Sequence, residues 1–289
     1  MADRHIVLEG PPGTGKSTLL RAVAHELGIG FEFVEGNAEL TPARMVGHFD
    51  PARVLTDGYV PDVFVDGPLI AAMTAGSLLY VEEINRIPEE TLNVLITVMS
   101  EQELHVPRLG RIACAPGFRL VAAMNPFDAV GTARISGAVY DRMCRLSMTY
   151  QSADEEQAIV RQALGQGTGV GTAVSVDDRW VTRIVELVRR TRQHPDLRVG
   201  SSVRGAIDAA KVAATLSGVR NLSPIDPSVG LDAALVALSG RVRVREGSMR
   251  TSEEIITDLW REIFAPDVER DGSADPGKVN APVGAINNR

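Results

Sequence analysis

At 289 residues, 44% of them hydrophobic and 23% charged, the chain has enough apolar material for one sizeable core and a smaller second one, which sets it apart from disordered proteins. A net charge of -7 weighs against a broad basic surface for gripping nucleic acid, although a local basic patch fits within an acidic total. Cys114 and Cys144 stand too far apart for a metal-ligand spacing or a disulfide framework and read as reduced thiols. No window reaches the roughly 18 consecutive apolar residues of a membrane span. The opening "MADRHIVLEG" enters a strand at once and leaves no room for a leader, so the expected location is the cytoplasm.

From Met1 to Tyr150, short apolar runs alternate with helical patterns. "HIVLEG" reads as a strand and "STLLRAVAHELG" as an amphipathic helix. Glu39 to Pro68 is rich in Pro, Gly and Asp and reads as a surface insertion holding a short helix or hairpin. "SLLYVEE" is the next strand and "PEETLNVLITVMSEQ" the next helix. Leu104 to Gly117 reads as a hairpin ahead of the strand "FRLVAAMNP". Strands interleaved with helices predict an α/β domain over residues 1–150, with a parallel sheet covered by helices on both faces.

After Tyr150 the pattern turns helical, predicting a small all-helical domain over 151–264. "SADEEQAIVRQAL" opens with Ser152 and Glu155 at capping-box spacing. "DDRWVTRIVELVRRTR" puts Trp180, Val181, Ile184, Leu187 and Val188 on one face. Residues 265–289 carry few large apolar groups and are expected to form a disordered tail. No internal repeat is evident.

"GPPGTGKS" comprises Gly10, Pro11, Pro12, Gly13, Thr14, Gly15, Lys16 and Ser17, with Thr18 following in the helix. It fits the phosphate-loop pattern and lies between a strand and a helix, as a P-loop NTPase requires. Gly13 and Gly15 let the backbone curl so that successive N–H groups face phosphates at a helix N-terminus. Lys16 would reach the β- and γ-phosphates of ATP, and the Ser17 hydroxyl would ligate Mg²⁺. "SLLYVEE" ends on two carboxylates, Glu82 and Glu83. If that strand lies two along in the same sheet, it ends beside the loop, where Glu82 would hold Mg²⁺ and Glu83 would polarise the attacking water.

"GPPGTGKS", "LLYVEEINR", "VAAMNP", "VYDRM" and "RRTRQHPDLRVGSSVRGA" occur in an order and spacing that resembles the MoxR-type AAA+ ATPases, relatives of the magnesium-chelatase ATPase subunit and of the CbbQ/NorQ and GvpN groups. The resemblance covers roughly Arg4 to Leu216 and implies an ATP hydrolase with a helical lid. Asn125 stands where the family's sensor 1 residue positions water. Arg142 matches the family's "LDRF" arginine, which reaches the γ-phosphate in a neighbouring subunit; Arg145 is its rival. Arg204 matches sensor 2, at a lid-helix start. The family shows Asp then Glu where this chain has Glu82 then Glu83, which bears on the metal geometry more than on Glu83.

The resemblance further implies a homo-oligomeric ring, a hexamer, whose two insertions face the pore. Here these are Glu39–Pro68 and Leu104–Gly117, with Arg44, His48, Arg53, His105, Arg108 and Arg111 supplying positive charge. No appended domain is recognised, so any recruiting module is expected to be a separate protein. The implied role is a chaperone that remodels, assembles, activates or metallates a partner, one with a von Willebrand A-type domain. A gas-vesicle-type assembly scaffold is the alternative, and a DNA translocase or helicase loader is the more remote one. His5, His25 and His194 carry no assigned chemistry.

Overall fold

The computed structural model describes residues 4–126, 136–165 and 177–271, and it divides into two units, Met1–Tyr150 and Gln151–Arg289. In the first, the elements run β1 (His5–Glu9), α1 (Lys16–Glu26), β2 (Phe31–Glu35), α2 (Pro42–Val46), β3 (Gly47–Phe49), α3 (Pro51–Asp57), β4 (Phe64–Asp66), α4 (Pro68–Ala75) and β5 (Leu78–Glu82). They continue with α5 (Glu89–Glu101), β6 (Glu103–Val106), β7 (Gly110–Ala113), β8 (Arg119–Met124), α6 (Gly137–Asp141) and β9 (Met143–Ser147).

Five strands form one sheet in the order β2-β5-β8-β1-β9, every neighbouring pair parallel. The three central strands are apolar on both faces, because helices cover both sides of a parallel sheet. Val7, Leu79, Val81, Leu120 and Ala122 face one core, shared with α4 and α5 residues such as Leu69, Met73, Leu95 and Val98. Leu8, Tyr80, Val121 and Ala123 face the other, with Leu20 of α1 packed against them. The strand carrying Asn125 thus lies between the two that carry the phosphate loop and the paired carboxylates.

The Glu39–Pro68 insertion, expected to hold a short helix or hairpin, holds short helices and also a β3–β4 antiparallel pair. Residues 104–117 form the expected hairpin of β6 and β7. The two segments touch: the Arg108 guanidinium lies 3.6 Å from the Tyr59 ring centre, and Tyr59 packs edge-on against Phe49. Much of the positive charge expected here is balanced locally, Arg44 by Glu39, Arg53 by Asp57 and Arg111 by Glu103.

The second unit comprises α7 (Ala153–Gly165), α8 (Asp178–Thr191), β10 (Leu197–Val199), α9 (Val203–Arg220), α10 (Pro227–Leu238), β11 (Arg243–Val244) and α11 (Ser252–Asp271). Ser152 and Glu155 form the expected reciprocal cap, and the five apolar residues expected on one face of α8 are all buried. Alanines at 206, 209, 210 and 213 on α9 and at 233, 234 and 237 on α10 are buried, letting those helices approach closely. Two features correct the sequence reading. A two-stranded ribbon of β10 and β11 interrupts the all-helical pattern. Helix α11 runs to Asp271, into the stretch expected to be tail, because Trp260 and Phe264 anchor it and each further residue adds a helical hydrogen bond. The rest of that tail, 272–289, lies outside the described residues.

Candidate active site

At the carboxyl edge of the sheet, β1 ends and the chain turns through Gly10–Gly15 into α1. Gly13 and Gly15 have φ of 77° and 79°, the left-handed conformation that glycine adopts without penalty. Gly10 is required for a different reason: a Cβ there would lie 2.4 Å from the Met148 carbonyl oxygen. Lys16 is buried, and its Nζ donates to the carbonyl oxygens of Gly10 (2.8 Å) and Pro11 (3.0 Å) inside the loop. Thr14, also buried, donates from Oγ1 to the Pro11 carbonyl at 3.1 Å. Pro12 and Thr18 are exposed on the rim.

Ser17 and Glu82 meet directly, the hydroxyl donating to Oε1 at 3.0 Å across the intervening strand. A hydroxyl and a carboxylate in contact beside a phosphate loop are the donor set a Mg²⁺ ion takes when phosphate and water complete its shell. Among the described residues no cluster of three or more His, Cys, Asp or Glu is arranged to hold a metal unaided. Tyr80, fully buried, places its hydroxyl 3.3 Å from Ser17 Oγ, and burial pushes its pKa up to about 12. The sequence reading passed it over. The available signal was an aromatic hydroxyl two residues before the carboxylate, hence on the same strand face as Glu82.

Glu83 follows with φ 53° and ψ 44°, and its Oε2 lies 3.1 Å from Arg86 Nε. Gly36, just beyond β2, donates its N–H to the Glu82 carbonyl at 2.7 Å. Asn125 stands directly after β8, whose Met124 is registered with Glu9 and accepts the Gly10 N–H at 3.2 Å. The sheet therefore brings Lys16, Ser17, Glu82, Glu83 and Asn125 to one edge.

Arg142 is not at that edge. It precedes β9, at the end of the sheet away from the phosphate loop, where Nε donates to Ser100 Oγ and an Nη to the Ala138 carbonyl at 2.8 Å. Its rival Arg145 is committed within the chain to Glu9, a buried carboxylate that also accepts from the Tyr140 hydroxyl at 2.6 Å. Glu9 was another omission of the sequence reading, although a carboxylate ending an apolar strand was the signal that had singled out Glu82. Arg204 belongs to the second unit, exposed on the first turn of α9.

The phosphate loop and its carboxylates on a β2-β5-β8-β1-β9 parallel sheet define an AAA+ ATPase, which binds and hydrolyses ATP. Residues 5–143 match the family described as AAA domain (dynein-related subfamily). In its motifs the chain is similar to the MoxR-type members of that class. Its relatives include the gas vesicle ATPase GvpN2 of Halobacterium salinarum, 28% identical over 91% of this chain and 74% of that protein. An uncharacterized protein of Staphylococcus epidermidis is 28% identical over 74% of this chain and 80% of its own. Among solved structures, the RuvB Holliday junction branch migration motor of Thermotoga maritima shares the fold with a TM-score of 0.52 at 20% identity, over 81% of this chain and 61% of that one. No described helix is long and apolar enough to cross a membrane.

Proposed function

We propose that this ATPase works as a ring of identical subunits, a hexamer, that uses ATP and Mg²⁺ to remodel, assemble or activate a separate partner protein bearing a von Willebrand A-type domain. Glu83 polarises the attacking water with help from Asn125, Lys16 binds the β- and γ-phosphates, and Ser17 and Glu82 hold the ion. Arg142 enters the site of the next subunit, and Arg204 couples the second unit to nucleotide state. The observation that supports a shared site is the position of Arg142 at the sheet end opposite its own phosphate loop. An arginine supplied in trans is worth about 10³ to 10⁵ in rate.

Mixing wild-type subunits with an excess of Glu83→Gln subunits is the test of sharing: turnover should fall below the wild-type fraction, and strict proportionality would refute the ring. For the partner, Glu83→Gln protein held in ATP and Mg²⁺ should capture one dominant protein with a von Willebrand A-type domain from a native lysate. Similarity to a gas vesicle ATPase over 91% of the chain favours a second reading, an assembly scaffold that hydrolyses slowly. Capture of shell proteins alone would establish that reading instead.

A further inference from the structure

Three neighbouring strands of the sheet, β8, β1 and β9, each start at or directly after an arginine: Arg119 opens β8, Arg4 precedes β1 and Arg142 precedes β9. Ile6 is registered with Val121 and His5 with Met143, so continuing both registers outward puts Arg4, Arg119 and Arg142 at one level. Adjacent strands lie about 4.8 Å apart, close enough for guanidinium groups on all three to address one polyphosphate. A cavity of 490 Å³ opens at this level, lined by the three arginines together with His5, Gln102 and Asp141. His5 forms its wall, accepting the Leu120 N–H on Nδ1 at 3.0 Å. The lining thus carries three guanidiniums against one carboxylate, in a chain whose net charge is -7.

The phosphate loop of the same chain lies at the other end of these strands, roughly 20 Å away at about 3.3 Å per residue. Whatever phosphate this row meets must come from another molecule. In the ring proposed above, the face of one copy that carries Arg142 meets the phosphate-loop edge of the next, as a head-to-tail interface allows. Arg4 and Arg119 stand level with Arg142 and arrive with it.

We propose that Arg119 and Arg4, beside Arg142, form a receptor for the phosphate tail of ATP bound to a second copy of this chain. The inference rests on Arg142 acting in trans. The experiment separates the two ideas by complementation. Lys16→Ala copies supply the arginine edge without a working phosphate loop, and Arg142→Ala copies supply the loop without the finger. Each alone should be inactive, and mixing them should restore ATP turnover at mixed interfaces. Adding Arg119→Ala to the Lys16→Ala copies should cut the restored rate about 10- to 100-fold, the worth of one or two charge-assisted hydrogen bonds. Adding it to the Arg142→Ala copies should change the restored rate less than twofold. Arg119→Lys should recover part of the loss, and Arg4→Ala, an exposed position, repeats the reading if Arg119→Ala fails to fold by circular dichroism.

If mixing restores nothing, the shared-site reading itself fails. If mixing restores turnover and neither Arg119→Ala nor Arg4→Ala lowers it, the receptor alone is refuted. Calorimetric titration of wild type with inorganic phosphate, and with single-stranded DNA, covers the other sources of phosphate. Binding of either that Arg119→Ala abolishes, with complementation intact, would also overturn the proposal.

Discussion

Replacing Gly36 by alanine tests whether the carboxylates of β5 owe their placement to β2. Gly36 has an ordinary φ, so the substitution carries no backbone strain of its own. Its effect is steric: the new Cβ would sit 2.3 Å from the Glu83 carbonyl oxygen and 2.9 Å from that of Glu82. Restoring an ordinary contact requires the two backbones to part by about 1 Å, since overpacked sites relieve themselves by backbone shifts costing about 1–3 kcal/mol. The shift stretches the 2.7 Å bond from the Gly36 N–H to the Glu82 carbonyl and carries both carboxylates with it. A 1 Å misplacement of a reacting group can cost about 10²-fold in rate. Steady-state ATP hydrolysis should therefore show kcat lowered about 100-fold. KM should hold within a few-fold, because the Lys16 loop on β1 is not touched, and the melting temperature should fall by roughly 2–12 °C. A kcat within twofold of wild type at an unchanged melting temperature would refute the argument that the β2 end positions Glu83.

Three other outcomes follow from the geometry. Tyr80→Phe removes the hydroxyl beside Ser17 while keeping the packed ring, so Mg²⁺ required for half-maximal hydrolysis should rise about 5-fold, the worth of one net hydrogen bond near 1 kcal/mol, with the melting curve little changed. Glu156 is fully buried between Arg189 (3.0 Å) and Arg192 (2.6 Å), and Glu156→Ala should destabilise the second unit by about 3–5 kcal/mol in urea denaturation by stranding those charges. His5 has its pKa lowered from 6.5 by burial first and by Arg119 second. Its unfolded form therefore binds a proton more readily, so the stability it contributes is full above pH 6.5 and is lost as pH falls through that value toward the folded pKa. Urea midpoints should accordingly fall more steeply on acidification below pH 6.5 in wild type than in His5→Gln.

The central strands and the phosphate site were legible because their signals are local. "HIVLE", "LLYVE" and "RLVAAM" are apolar on both faces, since helices cover both. The edge strands β2 and β9 carry no such signal. "FEFVE" and "MCRLS" each bury one residue of five and interleave polar with apolar side chains, so neither reads as a buried run. Glu9 and Tyr80 escaped notice because their meaning is non-local: each is defined by a partner more than sixty residues away, Tyr140 and Arg145 for one and Ser17 for the other. Gly36 escaped for the same reason, as only the approach of β5 reveals why a side chain is forbidden there. The α11 boundary was misplaced because composition after Ala265 reports what cannot nucleate a helix, whereas Trp260 and Phe264 had already nucleated one.

Two consecutive carboxylates on a strand would ordinarily face opposite sides of the sheet, since side chains alternate along extended backbone. Glu82 obeys that rule, lying on the same face as Tyr80 and meeting Ser17. For Glu83 to serve the same site the alternation must break between them, and it does: φ 53° and ψ 44° turn the chain out of the strand at that residue. A non-glycine residue in this conformation costs about 1–3 kcal/mol, so the surroundings must hold it there. They do so through the Gly36 N–H on the Glu82 carbonyl and the Arg86 N–H on the Glu83 carbonyl at 2.8 Å. The side chain reaches Arg86, whose Nε lies 3.1 Å from its Oε2. Its pair with Arg86 is more than a third exposed at both ends, and such pairs are worth at most about 1 kcal/mol. The backbone of Glu83 is thus fixed beside the Glu82 carboxylate, which is where the water-activating role proposed for it requires it to stand when the nucleotide arrives.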